Sequence, residues 1–320
     1  MGFWQNRSVL VTGCTGFLGW WLTRELVEQG AEVVGLVRDV VPQSPFYLKG
    51  LDKQIAVVHG RVEDYAAVER AINEYEVDTV FHIAAQAIVG VANRNPMSTF
   101  ESNIKGTWVV LEACRANPTV SRVVVASSDK AYGRHDNLPY DEDFPLRGNH
   151  PYDVSKSCAD LIALTYHHTY ATPVCVTRCG NIFGPGDLNY NRIVPGTIRS
   201  ILHNERPVIR SDGAPLRDYV FVHDIVNAYM VLAERMDDEA VIGQAFNFGT
   251  GAPVSVLDLT LAILKVAGRE DLKPDVRNTA SGEILHQYLS SERATRILGW
   301  RPAKSLESRL RETYEWHRAL

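Results

Sequence analysis

Two short stretches carry side chains able to move protons at close range: Ala126-Ser127-Ser128-Asp129-Lys130 and Tyr152-Asp153-Val154-Ser155-Lys156. Tyr152 and Lys156 stand at i and i+4, so on a helix they share a face. A free tyrosine has a pKa of about 10 and is a poor base at neutral pH. A nearby ammonium favours the phenolate. With Ser128 orienting a hydroxyl, this pair suits oxidation of an alcohol. Asp129 and Lys130 add a carboxylic acid and an amine that such an oxidation does not need. Loss of water beside a new carbonyl does need them, one as base at carbon and one as acid at the departing hydroxyl. Lys130 is the candidate base if burial or nearby cations keep it neutral. Asp129 is the candidate acid if its pKa is raised. The plainer alternative is a solvated ion pair at a strand end.

Oxidation requires a hydride acceptor, and Thr12-Gly13-Cys14-Thr15-Gly16-Phe17-Leu18-Gly19 is a candidate cradle for one. It follows a short apolar strand and opens a helix. Gly13 permits the tight turn, Gly16 lets a pyrophosphate approach the helix N-terminus, and Gly19 allows close helix–strand contact. A purely structural turn is the alternative. Strand two ends in Arg38-Asp39, where an acid would select NAD. Arg38 can instead pair with the 2′-phosphate of NADP, stack on adenine, or be a solvated surface charge. NAD and NADP both stay open.

These side chains must be placed by an alternating frame. Strands are expected at Ser8–Thr12, Glu32–Val37, Ile55–His59, Thr79–Ile83, Arg122–Ser127 and Val174–Arg178. Helices are expected at Phe17–Gln29, Tyr65–Tyr75, Thr99–Ala116 and Tyr152–Tyr170. This rhythm implies an α/β fold, a Rossmann-type doubly wound parallel sheet. After Gly180 the rhythm breaks into a loop at Asn181–Asn191. Helices at Val194–Leu202 and Val222–Glu234 follow, with a strand at Gln244–Phe248 returning to the main sheet. We expect residues 1–180, with about 221–249, to form the nucleotide-binding domain. Residues 181–220 and 250–320 should form a smaller C-terminal α/β substrate lobe over the carboxyl ends of the strands.

The 320 residues are 45% hydrophobic, enough for a sizeable core, and the net charge of −5 gives no sign of a nucleic-acid surface. The five cysteines form no CxxC pair, so no metal site is expected and reduced thiols in a cytoplasm are the simplest reading. No secretory peptide is expected ahead of the first strand, nor any membrane span.

At these residues the chain resembles the extended short-chain dehydrogenases/reductases of the nucleotide-sugar epimerase/dehydratase family. Beyond the glycine loop and the Tyr152–Lys156 stretch, the resemblance rests on several further segments. They are Phe81-His82-Ile83-Ala84-Ala85-Gln86, Asn103 with Gly106-Thr107, Arg178-Cys179-Gly180-Asn181, Phe183-Gly184-Pro185-Gly186, Arg217-Asp218-Tyr219-Val220 and Leu298-Gly299-Trp300. Within that family, Phe3-Trp4, Ser127-Ser128-Asp129-Lys130-Ala131-Tyr132-Gly133 and Asn191-Arg192-Ile193-Val194-Pro195 are most similar to CDP-glucose 4,6-dehydratases.

The resemblance implies that Ser128, Tyr152 and Lys156 oxidise C4 of a hexose, and that Asp129 and Lys130 remove water across C5 and C6. Hydride return to C6 then gives a 4-keto-6-deoxy sugar. It implies cofactor contacts from Gly13, Thr15, Gly16, Phe17, Leu18, Gly19, Arg38, Val62, Ala84, Ala85, Gln86, Asn103, Tyr152 and Lys156. It implies nucleotide-sugar contacts from Gln86, Asn181, Arg192, Ile193, Val194 and Arg217. Loop capping is the alternative for Asn181 and Arg192, and a structural ion pair for Arg217. Arg61 departs from the family, which commonly has an acid there. A homodimer is implied, pairing the helices near Thr99–Ala116 and Tyr152–Tyr170 into a four-helix bundle. Three other activities compete: a UDP-sugar 4-epimerase, a keto-sugar reductase and a non-catalytic NAD(P) sensor. Asp129-Lys130 argues against the first, and the intact proton relay against the last.

Overall fold

The computed structural model describes residues 2–279, 284–303 and 305–320. Six strands follow one another through the first half: β1 (Ser8–Thr12), β2 (Glu32–Val37), β3 (Ala56–His59), β4 (Thr79–His82), β5 (Arg122–Ala126) and β6 (Val174–Cys179). With a late strand, Ala245–Phe248, they make one seven-stranded sheet in the order Ala245–Phe248, β6, β5, β4, β1, β2, β3. Every pairing in it is parallel.

The strands are mostly apolar because both faces of the sheet are covered. Side chains alternate between the faces. Val9 and Val11 of β1 and Val124 of β5 enter one core. Leu10, Val123 and Val125 enter the other. The chain reverses direction across the sheet between β1 and β4, which opens a crevice at their carboxyl ends. Gly13, the 83–86 loop and Ser127–Lys130 all leave strands at that crevice.

After β6 the chain builds several small sheets. Asn181–Phe183 pairs with Tyr219–Phe221. Leu216–Arg217 is flanked by Val254–Ser255 and by His286–Gln287. Ile198, Phe221, Leu259, Ile263 and Leu310 form a separate core among the helices Ile193–Leu202, Val256–Ala267 and Leu306–Arg318. Among the described residues no helix is long and apolar enough to cross a membrane.

Two expected elements differ: the loop expected over Asn181–Asn191 opens with the short strand Asn181–Phe183, and a helix is broken. The helix expected over Thr99–Ala116 is interrupted: Pro96–Phe100 is helical, Glu101–Lys105 is a wide π turn, and Gly106–Ala116 resumes the α-helix. Helical periodicity in the sequence does not reveal one inserted residue. Such inserts recur at functional sites, where they re-aim a side chain. Here the wide turn carries Asn103.

Beneath the crevice lies a buried cross-link. Arg178 of β6 is 4% exposed and Asp160, on the helix Pro151–Tyr170, is fully buried. Two parallel N–H···O bonds join them, at 2.8 and 2.9 Å. The remaining guanidinium nitrogen donates to Tyr132 Oη at 2.9 Å and to the Glu142 carbonyl at 3.0 Å. Removing one partner of such a pair strands a charge inside the protein. Asp160→Ala is therefore expected to cost roughly 3–5 kcal/mol of unfolding free energy, measurable by urea titration. A loss well under 1 kcal/mol would mean that water reaches Arg178 freely.

Candidate active site

The site starts from the glycine loop. Gly13 has φ +76°, and a Cβ there would lie 2.8 Å from the Ala84 nitrogen. A Cβ on Gly19 would lie 2.0 Å from the Gly13 carbonyl oxygen, so the glycines set how closely helix, loop and strand approach. Gly16 is the N-cap of the helix Phe17–Glu28 and supplies no side-chain cap. The first N–H groups of that helix are left for a ligand, and they favour an anion. Leu18 is packed in the core, so its part in a cofactor site is through its backbone. Val62 lies under Gly106, where an added Cβ would come within 2.7 Å of its side chain. These residues fit the diphosphate of a dinucleotide.

A hydrogen-bond chain holds the far wall. The Thr12 hydroxyl accepts from the N–H groups of Ile83 and Ala84, at 3.1 and 3.2 Å. Its own hydrogen is then free for His82 Nδ1, 2.9 Å away. That makes Nδ1 the acceptor and Nε2 the donor of a neutral imidazole. Nε2 meets Thr107 Oγ1 at 3.1 Å, and Thr107 donates to the Asn103 carbonyl at 2.6 Å. The Asn103 amide accepts from Gln86 N–H and donates to the Gln86 carbonyl and to Ser155 Oγ. Asn103 thus straps the 84–86 loop to the helix Pro151–Tyr170, with its amide engaged by protein. Sequence reasoning had it contacting the cofactor; the π turn aims its amide at the 84–86 loop, itself part of the cradle.

The reacting groups converge from two elements. Ser128 caps a tight turn, Asp129–Tyr132, accepting from Lys130 N–H at 3.2 Å and donating to Asp129 Oδ1 at 3.1 Å. Ser157 of the long helix donates to the Ala131 carbonyl at 2.8 Å, which docks that turn on the helix. Lys156 Nζ donates to the Ala126 carbonyl at 2.7 Å. Burial lowers the Lys156 pKa to about 8, with Cys179 and Asp160 opposing.

Tyr152 corrects one expectation. Lys156 was expected to pull the phenol pKa down, yet burial dominates and raises it to about 12. The charge that most favours the phenolate is Arg192, assisted by a hydrogen bond with Ser128. Lys156 spends its bond on the end of β5.

Asp129 is 2% exposed, and its Oδ2 is buried without a hydrogen-bond partner. Lys130 Nζ lies 3.7 Å from that oxygen. Its nearest partner is Gln287 Oε1. Burial lowers the Lys130 pKa, Asp129 opposes this, Arg217 adds to it, and Asp153 opposes.

The expected substrate contacts are spread around this centre. Asn181 Nδ2 donates to the Asp218 carbonyl at 3.2 Å. Arg192 pairs with buried Asp187 at 3.1 Å and caps the helix that begins at Ile193. The Val194 side chain belongs to the lobe core, so only its backbone can face a ligand. Arg217 donates to the carbonyls of Leu216 and Leu285. Arg38 is exposed and pairs with Asp39 at 2.6 Å, and Arg61 pairs with Glu63 at 2.6 Å. Gln86 Oε1 accepts from Ile88 N–H. Sequence reasoning missed Gln287 and the Arg178–Asp160 pair as supports of the site. For Arg178 the signal was a charge inside an apolar strand; for Gln287 no local signal exists.

A family model described as the NAD dependent epimerase/dehydratase family matches residues 9–249. The chain is 30% identical to the CDP-glucose 4,6-dehydratase of Salmonella typhimurium, across 99% of this chain and 92% of that protein. It resembles the solved dTDP-glucose 4,6-dehydratase of Streptomyces venezuelae with NAD bound, at TM-score 0.89, 28% identity and coverage of 98% and 97% of the two chains. It also resembles the UDP-glucose 4-epimerase of Thermotoga maritima with UDP-glucose, at TM-score 0.89, 28% identity and coverage of 98% and 99%.

Burial holds the His82 pKa near 3, against 6.5 when free. The unfolded chain therefore takes up a proton that the native state refuses, and His82 makes stability rise with pH between about 3 and 6.5. His82→Gln should remove that dependence. Relative to the variant, wild type should lose stability as pH falls through this window in urea titrations; parallel curves would disprove the buried neutral imidazole.

Proposed function

Because the chain belongs to the NAD-dependent epimerase/dehydratase family, we propose that it is a nucleoside-diphosphate-hexose 4,6-dehydratase acting on a CDP-glucose-like substrate. The observation that carries this reading is the buried Oδ2 of Asp129, which accepts no hydrogen bond and lies 3.7 Å from Lys130 Nζ, within the same turn that Ser128 caps. An epimerase that only oxidises and re-reduces C4 has no use for that second acid–base pair.

A nicotinamide cofactor bound in the glycine-loop cradle would supply the redox chemistry, acceptance of hydride from C4 and its return to C6. Gly13, Gly16 and the open helix N-terminus would hold its diphosphate, with Thr15, Phe17, Ala84 and Ala85 as its further contacts. The neutralised pairs Arg38–Asp39 and Arg61–Glu63 support NAD over NADP, since neither guanidinium is left without a carboxylate. Ser128 orients the C4 hydroxyl and Tyr152 takes its proton as phenolate, a form that burial opposes and that Arg192 and the Ser128 hydrogen bond support. Lys130 removes the C5 proton as the C6–O bond breaks, and Asp129 delivers a proton to the departing hydroxyl, which leaves as water. Lys130 then returns its proton to C5. The net change is loss of one water. Asn181 and Arg217 bind the diphosphate of the sugar nucleotide, with Gln86, Arg192, Ile193 and Val194 lining its remaining length. The five thiols, all unpaired, suit a reducing cytoplasm.

Exposed Trp108 and Leu161, on the adjacent helices Gly106–Ala116 and Pro151–Tyr170, support a homodimer through a four-helix bundle. Wild type should sediment as a dimer at micromolar concentration and the double variant Trp108→Glu, Leu161→Glu as a monomer; a monomeric wild type would end that assignment.

The decisive experiment is mass spectrometry after incubation with CDP-, UDP-, GDP- and dTDP-hexoses. One donor should lose the mass of one water. An unchanged mass with an inverted C4 would instead identify an epimerase. Asp129→Asn and Lys130→Ala should each slow water loss by about 10²-fold or more while retaining bound cofactor; full activity in both would remove the elimination roles.

A further inference from the structure

Gln287 is fully buried, in the two-residue strand His286–Gln287 beside Leu216–Arg217. Its Nε2 donates to the Asp129 carbonyl at 2.9 Å. That bond settles the orientation of the amide, because a carbonyl accepts only from the NH₂ end. Oε1 must then face the other way, and there it accepts from Lys130 Nζ. One side chain therefore holds both members of the acid–base pair, the backbone of one and the amine of the other.

The alternative arrangement is close at hand. Asp129 Oδ2 lies only 3.7 Å from Lys130 Nζ, and nothing else among the described residues bonds it. Were the amine released, it would move onto that carboxylate. The contact would consume both groups, since it favours ammonium over amine and carboxylate over carboxylic acid. We propose that Gln287 is a positioning residue that keeps the base and the acid of the elimination step apart, parking the Lys130 amine on a neutral oxygen so that Asp129 stays open to the C6 hydroxyl. This rests on the dehydratase reading given above.

Neutrality is the essential property of Gln287. An amide oxygen carries no net charge, so it favours the ammonium far less than a carboxylate in its place would and does not lock Lys130 in its protonated form. The charges facing Lys130 are Asp129 in its own turn, Asp153 on the long helix and Arg217 on the neighbouring strand. A carboxylate at 287 would add a third acid to that set.

Gln287→Glu preserves the shape and changes the charge; Gln287→Leu removes both bonds. Both are expected to slow water loss by about 10²-fold with KM and cofactor content near wild type. C4 oxidation should persist, so that reduced nicotinamide accumulates in the enzyme on mixing with substrate. In Gln287→Glu the rise of kcat with pH should move to higher pH, and NMR of ε-carbon-labelled lysine in the free protein should show Lys130 titrating higher. Wild-type turnover with an unmoved pH profile in both variants would overturn the proposal. So would an equal fall in oxidation and elimination, which marks a merely structural residue. Failure of the underlying reading is separate: wild type itself would then release water from no donor.

Discussion

A guanidinium inside a protein must find an acceptor for nearly every N–H, or the fold that buries it is lost. Arg178 meets that demand by drawing together three parts of the chain: Asp160 on the long helix, the Tyr132 hydroxyl in the turn after β5, and the Glu142 carbonyl in the loop beyond. The helix carries Tyr152 and Lys156, and the turn carries Asp129 and Lys130. The distance between the oxidising pair and the eliminating pair therefore depends on one buried cation, carried by β6, the strand next to the sheet's outer edge. Asn247 extends the same cluster, accepting from Tyr132 and donating to the Tyr140 carbonyl.

The opposite wall follows a different principle. It uses neutral groups throughout, with threonine hydroxyls on either side of an uncharged imidazole and an asparagine amide at the end. A charged relay there would set a fixed field beside the diphosphate cradle. A neutral one orders the loop while leaving the field to the helix N-terminus and to whatever binds it.

The parts legible from sequence were those whose information is local. The alternation of apolar strands and amphipathic helices yields the sheet, in which Val9 and Val11 face one core and Leu10 the other. The i, i+4 spacing of Tyr152 and Lys156 places both on one helical face, and the Gln244–Phe248 stretch was readable as a strand returning to the sheet. What escaped was relational. An inserted residue in the 101–105 turn changes no composition, yet it turns Asn103 toward the loop. The phenol of Tyr152 depends on burial and on Arg192, forty residues away in sequence and on another lobe element. Gln287 sits in a two-residue strand whose partner lies far upstream, so no window of sequence contains the relation that matters.

The sheet's outer strand, Ala245–Phe248, arrives only after the chain has left the sheet at Cys179 and run through Asn181–Phe183, Ile193–Leu202 and Val222–Glu234. A fragment ending at residue 180 would hold the glycine loop, the proton relay and all five reacting side chains, but with one long side of β6 unpaired. That open edge is apolar and ready to pair with any other strand. The nucleotide cradle is accordingly not a detachable module. Gene fusions and truncations that respect a boundary at 180 would release a six-stranded sheet with β6 bare on one side, and a ribosome must extrude most of the chain before β6 has both neighbours.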